Sequence, residues 1–113
     1  MIPRSPATAA ASASYRGDLL TDLAALASQA PAEATLVVYH SAVLAYLSEG
    51  QCRQFADTVT GLPAVWLSNE APGILPDVAV PAYTGTSAFA LVRDGRTPLA
   101  FADSHGTWLE WLA

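Results

Sequence analysis

The chain contains no lysine. Its cations are five arginines set against ten acidic side chains among 113 residues, for a formal net charge of -5. Proteins that neutralise phosphates need a basic face, so the composition argues against nucleic acid as a partner. Cysteine is nearly absent: Cys52 stands alone, which excludes an internal disulfide and a thiolate metal cluster and leaves the reading of a buried helical thiol. No apolar run approaches the roughly 18 residues of a membrane span, and the first residues lack the continuous apolar stretch of a secretory signal, so the expectation is a cytoplasmic protein with no membrane partner. The glycines nowhere fall into Gly-x-Gly spacing after a strand, so the phosphate-cradling loop of a dinucleotide site is missing.

What is present is apolar. Hydrophobic residues make up 52% and charged residues 13%, a balance that favours a packed core over disorder. The length allows one domain that buries roughly two-thirds of its unfolded surface. Met1 to Ser14 is Ala, Ser and Pro with almost nothing large to bury, so it reads as a disordered tail before a single α/β domain over 15–113.

Along that domain, Asp18 opens a helix in which Leu19, Leu20, Leu23, Leu26, Ala27 and Ala30 recur at helical spacing before Pro31. Thr35 to His40 reads as a strand, with Leu36-Val37-Val38 so apolar that it should be central and covered on both faces. Ser41 to Leu47 reads as helical with Ser41 as N-cap. Ser48 and Gln51 match a capping box, Cys52, Phe55, Ala56 and Val59 supply a buried stripe, and Gly61 suits the helix end. Ala64 to Asn69 is a second buried strand, and two such strands joined by helical sequence predict a parallel pair. Pro72, Gly73, Pro76 and Pro81 then impose a long loop. Asp94-Gly95 between Ser87–Val92 and Thr97–Ala102 predicts an antiparallel hairpin, and Thr107 to Leu112 could add a further strand.

Ligands of open α/β sheets sit beyond the C-terminal ends of the parallel strands. That rule selects Tyr39, His40 and Ser41 on one strand and Asn69 and Glu70 on the next. Adjacent strands would bring His40 within hydrogen-bonding reach of Glu70, which could hold the imidazole in one tautomer as a catalytic pair; the alternative is that these residues cap backbone at the strand ends. Ser41 lacks the small neighbours of a nucleophile elbow, since Tyr39 and Val43 stand two positions away. Asp103 and His105 read as turn residues, because two histidines and scattered carboxylates do not define a metal site. Ile74 and Leu75 could form a lid or contact surface, or fold back over the sheet.

Four segments taken together resemble a known family: Arg16-Gly17-Asp18-Leu19-Leu20, Leu36 through Tyr46, Trp66-Leu67-Ser68-Asn69-Glu70, and Asp103 through Trp111. In this order they resemble the C-terminal third of DUF2332, a bacterial domain of unknown function, with the residues before Tyr15 outside the resemblance. At the level of topology the order helix, strand, helix, strand, hairpin is similar to the C-terminal half of S-adenosylmethionine-dependent methyltransferases. The resemblance implies a partial Rossmann-like, methyltransferase-like sheet: two parallel strands plus an antiparallel hairpin, flanked by helices. It implies a truncated or stand-alone piece of a larger fold without independent catalysis, whose first strand is an open edge that could pair in a homodimer. Two alternatives are a methyltransferase-like protein that uses S-adenosylmethionine only if its cofactor half is supplied elsewhere, and a protein-binding module.

Overall fold

The computed structural model describes residues 15–112 except Pro76, Thr84 and Thr86; the expected tail over 1–14 lies outside the described residues. One five-stranded sheet organises the chain. Its strands are β1 (Leu36–Ser41), β2 (Ala64–Glu70), β3 (Phe89–Arg93), β4 (Thr97–Ala102) and β5 (Leu109–Trp111), and they lie side by side in sequence order. β1 and β2 are parallel, with Val38 opposite Trp66 and His40 opposite Ser68; every later pairing is antiparallel. The α/β reading and the hairpin therefore stand.

Helix α1 (Leu23–Ala27) and helix α2 (Glu49–Thr60) accompany the sheet. The capping box of α2 is complete: Ser48 Oγ accepts from the Gln51 N–H, and Gln51 Oε1 accepts from the Ser48 N–H. Cys52, Phe55 and Val59 form its buried stripe and meet Leu44, Trp66 and Leu75 in the core, with Leu19, Leu20 and Leu23 packed against them. Both helices thus serve the same face of the sheet.

Three local expectations are corrected. The helix expected as far as Ala30 contains five α residues, because Gln29 and Ala30 bond back three positions and tighten its end. Ser41 to Leu47 is not an α-helix; Ser41 closes β1, Ala42 turns through φ 57°, and Leu44–Tyr46 make one 3-10 turn. Most consequential, β1 is neither central nor covered on both faces. It forms the edge of the sheet, and Val37 and Tyr39 are 49% and 60% exposed.

Strand alternation explains the exposure. Val38, His40, Trp66, Ser68, Glu70, Ala90 and Val92 face the helices, whereas Val37, Tyr39, Val65, Leu67, Leu91, Leu109 and Trp111 face the other way. Among the described residues no helix packs on that second face. Its large side chains remain open to solvent, with Trp111 66% exposed.

At the far end of the sheet, Asp94 (φ 53°) and Gly95 (φ 64°) are the left-handed central pair of a turn that the Arg96 N–H closes onto the Arg93 carbonyl, within the three residues that join β3 to β4. Asp94 secures this turn to β2: its N–H donates to the Trp66 carbonyl at 2.7 Å and its Oδ1 accepts the Trp66 N–H at 3.0 Å.

Candidate functional site

The parallel register carries His40 and Glu70 to neighbouring strand ends on the helix-covered face. Their side chains meet, with His40 Nδ1 2.6 Å from Glu70 Oε2. Both are buried, at 8% and 3% exposure. A third residue completes the arrangement: Trp66, which its strand sequence favours as core over a surface for stacking a planar ligand, is buried and donates its indole N–H to His40 Nε2 at 2.9 Å. An indole N–H can only donate, so Nε2 must accept and the ring proton resides on Nδ1, directed at Glu70. The imidazole is neutral in this arrangement and both nitrogens are engaged.

Glu70 is equally occupied. Its Oε2 also accepts the Val43 N–H at 3.0 Å, and Oε1 accepts the Leu44 N–H at 3.3 Å. The carboxylate therefore caps the backbone where the chain leaves β1 for the 3-10 turn. Phe55 closes the remaining side, edge-on to the His40 ring at 5.1 Å. A buried carboxylate with three donors and a buried imidazole with both nitrogens paired meet the requirements for polar groups in an interior. The signal for Trp66 was present in the strand pattern, since Trp66, Ser68 and Glu70 alternate onto one face of β2.

The other strand-end candidates point elsewhere. Tyr39, Ser41 and Asn69 lie on the uncovered face, where Asn69 Nδ2 donates to Ser41 Oγ at 3.1 Å and Asn69 Oδ1 is buried without a partner. Asp103 forms a turn: its Oδ2 accepts from the N–H groups of His105 and Thr107 and from the Thr107 hydroxyl at 2.7 Å. These bonds, led by that of the Thr107 hydroxyl, hold the Asp103 carboxyl below its ordinary range. Leu75 lies in the core with Ile74 packed against it. Cys52 is buried with its thiol on the Leu44 carbonyl, and desolvation together with the nearby Glu70 and Glu49 charges pushes that thiol up, away from nucleophilic use. Among the described residues no group of three or more His, Cys, Asp or Glu side chains could hold a metal, and no helix is long and apolar enough to cross a membrane.

Fold and site together define a small α/β sheet unit in which, among the described residues, His40, Glu70 and Trp66 pair with one another and with the backbone after β1, the neighbouring Ser68 hydroxyl is buried without a partner, and no helix covers the second face. The chain belongs to DUF2332, a family of uncharacterised proteins conserved in bacteria, which it matches over residues 7–111. The match starts before Tyr15, so it includes part of the stretch that the sequence reading set apart. No curated protein and no solved structure matches the chain.

Proposed function

We propose that this chain is a protein-binding module: it acts by joining its open β1 edge and bare sheet face to further polypeptide, and performs no catalysis of its own. The observation that carries this reading is the uncovered apolar face of the parallel pair, since parallel strands are ordinarily covered on both sides. Fully burying an exposed Val or Leu side chain contributes about 1.5–3 kcal/mol, and Val37, Val65 and Leu109, which are 49%, 36% and 46% exposed, each retain somewhat under half of that as a drive for association. Within this reading the His40, Glu70 and Trp66 cluster fixes the end of β1, and no nitrogen or oxygen of it is free to act on a substrate.

β1 also has backbone to offer. The Ala42 N–H bonds the Asn69 carbonyl. Parallel ladders engage alternate residues, so the N–H and C=O groups of Val37, Tyr39 and Ser41 point away from β2. In the isolated chain the available partner is a second copy, whose twofold-related β1 would pair antiparallel. In a larger Rossmann-like sheet the neighbour differs. Because α1 and α2 share a face, right-handed connections put a strand that feeds α1 beside the open edge and parallel to it.

The methyltransferase-like alternative draws support from the β1–α2–β2 unit alone. The chain's own residues do not fit S-adenosylmethionine, because no glycine-rich loop follows β1 and the Val43 and Leu44 N–H groups are already capped by Glu70. That reading therefore needs a cofactor half from another polypeptide.

Sedimentation velocity tests the proposal. The chain self-associates at micromolar concentration, whereas Val37→Lys combined with Tyr39→Lys, which puts charge on the edge and leaves the core untouched, gives a monomer with the same circular dichroism spectrum. A wild-type chain that stays monomeric at the highest soluble concentration overturns it.

A further inference from the structure

We propose that Ser68 is the standby acceptor of an acid-operated switch in the core: when His40 takes a second proton, Trp66 leaves Nε2 and the Ser68 hydroxyl receives its indole N–H. The device lies inside the core, apart from the edge and the face at which association takes place.

The bond between Trp66 and His40 exists only for the neutral ring. Trp66 Nε1 lies 2.9 Å from His40 Nε2. An indole N–H cannot accept, and an imidazolium carries N–H on both nitrogens. A proton taken from solvent onto the Nε2 lone pair therefore sets two donors against each other. No bond other than the new N–H forms, and no group leaves. Glu70 keeps its hold through the change, because its carboxylate already faces Nδ1 at 2.6 Å and an imidazolium there makes the same contact charge-assisted from both sides. The indole is the partner that yields.

It yields toward an acceptor already in place. Ser68 stands between Trp66 and Glu70 on the helix-facing side of β2, opposite His40 in the parallel register. It is 1% exposed, and its Oγ has no hydrogen-bond partner among the described residues. A buried hydroxyl left unpaired costs stability. Since this oxygen is closed to solvent, only a donor inside the cluster can meet it, and Trp66 is two residues away on the same face. A hydroxyl that is idle beside the neutral ring and engaged beside the protonated one gives the cluster two bonded arrangements of the kind a switch requires.

Glu70 is the charged group bonded to His40. From α2 come Phe55, edge-on to the ring, and the Cys52 thiol, which burial and then the Glu70 and Glu49 charges keep protonated. The turn after β1 adds Leu44, and Leu75, Leu19, Leu20 and Leu23 complete the apolar surroundings. The other nearby charges, Arg53, Asp57, Asp77, Asp94 and Arg96, line a cleft over Trp66. At that cleft the indole presses on the β3–β4 turn, where a Cβ on Gly95 would lie 2.7 Å from Cζ3. Movement of Trp66 is therefore felt at Gly95.

Nuclear magnetic resonance on the whole chain locates the step in which the His40 ring takes its second proton. In that same step the Trp66 indole N–H and the Gly95 amide shift together, while the Glu70 carboxyl carbon keeps its charged position. Urea unfolding of Ser68→Ala separates the switch from a simple packing role. On the neutral side of the step the variant is at least as stable as wild type, since it loses an unpaired hydroxyl. On the acid side its urea midpoint falls below that of wild type, so the ranking reverses with pH. The same ranking on both sides overturns the role of Ser68. A Trp66 signal that holds still while His40 titrates, a proton that goes to Glu70 instead, or a ring that stays neutral until the chain unfolds overturns the switch.

Discussion

Trp66 donates its indole N–H to His40 Nε2 at 2.9 Å, and this single bond decides what the imidazole can do. It fixes the tautomer, occupies the nitrogen that would otherwise face a substrate, and leaves Nδ1–H for Glu70. The cluster is consequently a structural joint between β1, β2 and the turn after β1.

Breaking that joint should cost stability. His40→Ala leaves the buried Glu70 carboxylate short of one donor and opens a gap beside Phe55, with an expected loss of about 3 kcal/mol. Trp66→Phe keeps most of the packing but removes the donor to Nε2, for about 1 kcal/mol. Urea unfolding of both variants checks the order. His40→Ala no less stable than Trp66→Phe contradicts the structural role.

The hairpin turn gives a sharper contrast. A Cβ on Gly95, at φ 64°, would lie 2.7 Å from Trp66 Cζ3, whereas one on Gly73, at φ 92°, meets nothing within 4 Å. Gly73→Ala carries only backbone strain of about 1 kcal/mol. Gly95→Ala adds displacement of a buried indole, for roughly 2–3 kcal/mol in total. Thermal melts of the two variants measure the difference, and equal losses would show that the turn does not press on Trp66.

Asp103 predicts a pH effect confined to the β4–β5 turn. Its carboxyl is lowered by the Thr107 hydroxyl, the Thr107 N–H and the His105 N–H. A carboxyl lowered in the folded state adds stability that is fully present above its unfolded value and is lost as pH falls through the folded value. The protection of the His105 and Thr107 amides, measured against intrinsic exchange at the same pH, should therefore fall on acidification below the ordinary carboxylate range. Thr107→Val removes the leading cause, so the Asp103 titration followed by carboxyl carbon shifts moves upward. An unchanged titration in that variant contradicts the assignment.

Much of this arrangement was legible in the sequence because it depends on local chemistry. The Ser48 and Gln51 box marks the start of α2, Asp94-Gly95 marks the hairpin, and the alternation in β5 puts Leu109 with Trp111 on one face. The meeting of His40 and Glu70 followed from adjacency of two parallel strands. Less legible were features set by partners distant in the chain. The apolarity of Leu36-Val37-Val38 reports that the strand tolerates burial on both faces, but it does not say which polypeptide provides the second cover. Ser41 matched an N-cap locally, yet the Val43 and Leu44 N–H groups are capped by Glu70 from β2, so an α-helix beginning at Ser41 lost to a turn shaped by a contact 26 residues apart.

The most direct test of the association reading is hydrogen exchange along β1 as a function of protein concentration. The account predicts alternation in the dilute chain: the Val38 and His40 amides, bonded to β2, are protected, and those of Val37, Tyr39 and Ser41 exchange freely. Raising the concentration should slow Val37, Tyr39 and Ser41 as a second copy pairs with the edge, while the other two change little. Equal protection of all five amides at the lowest concentration, or self-association without any slowing at Val37 and Tyr39, would contradict an open β1 edge as the joining surface.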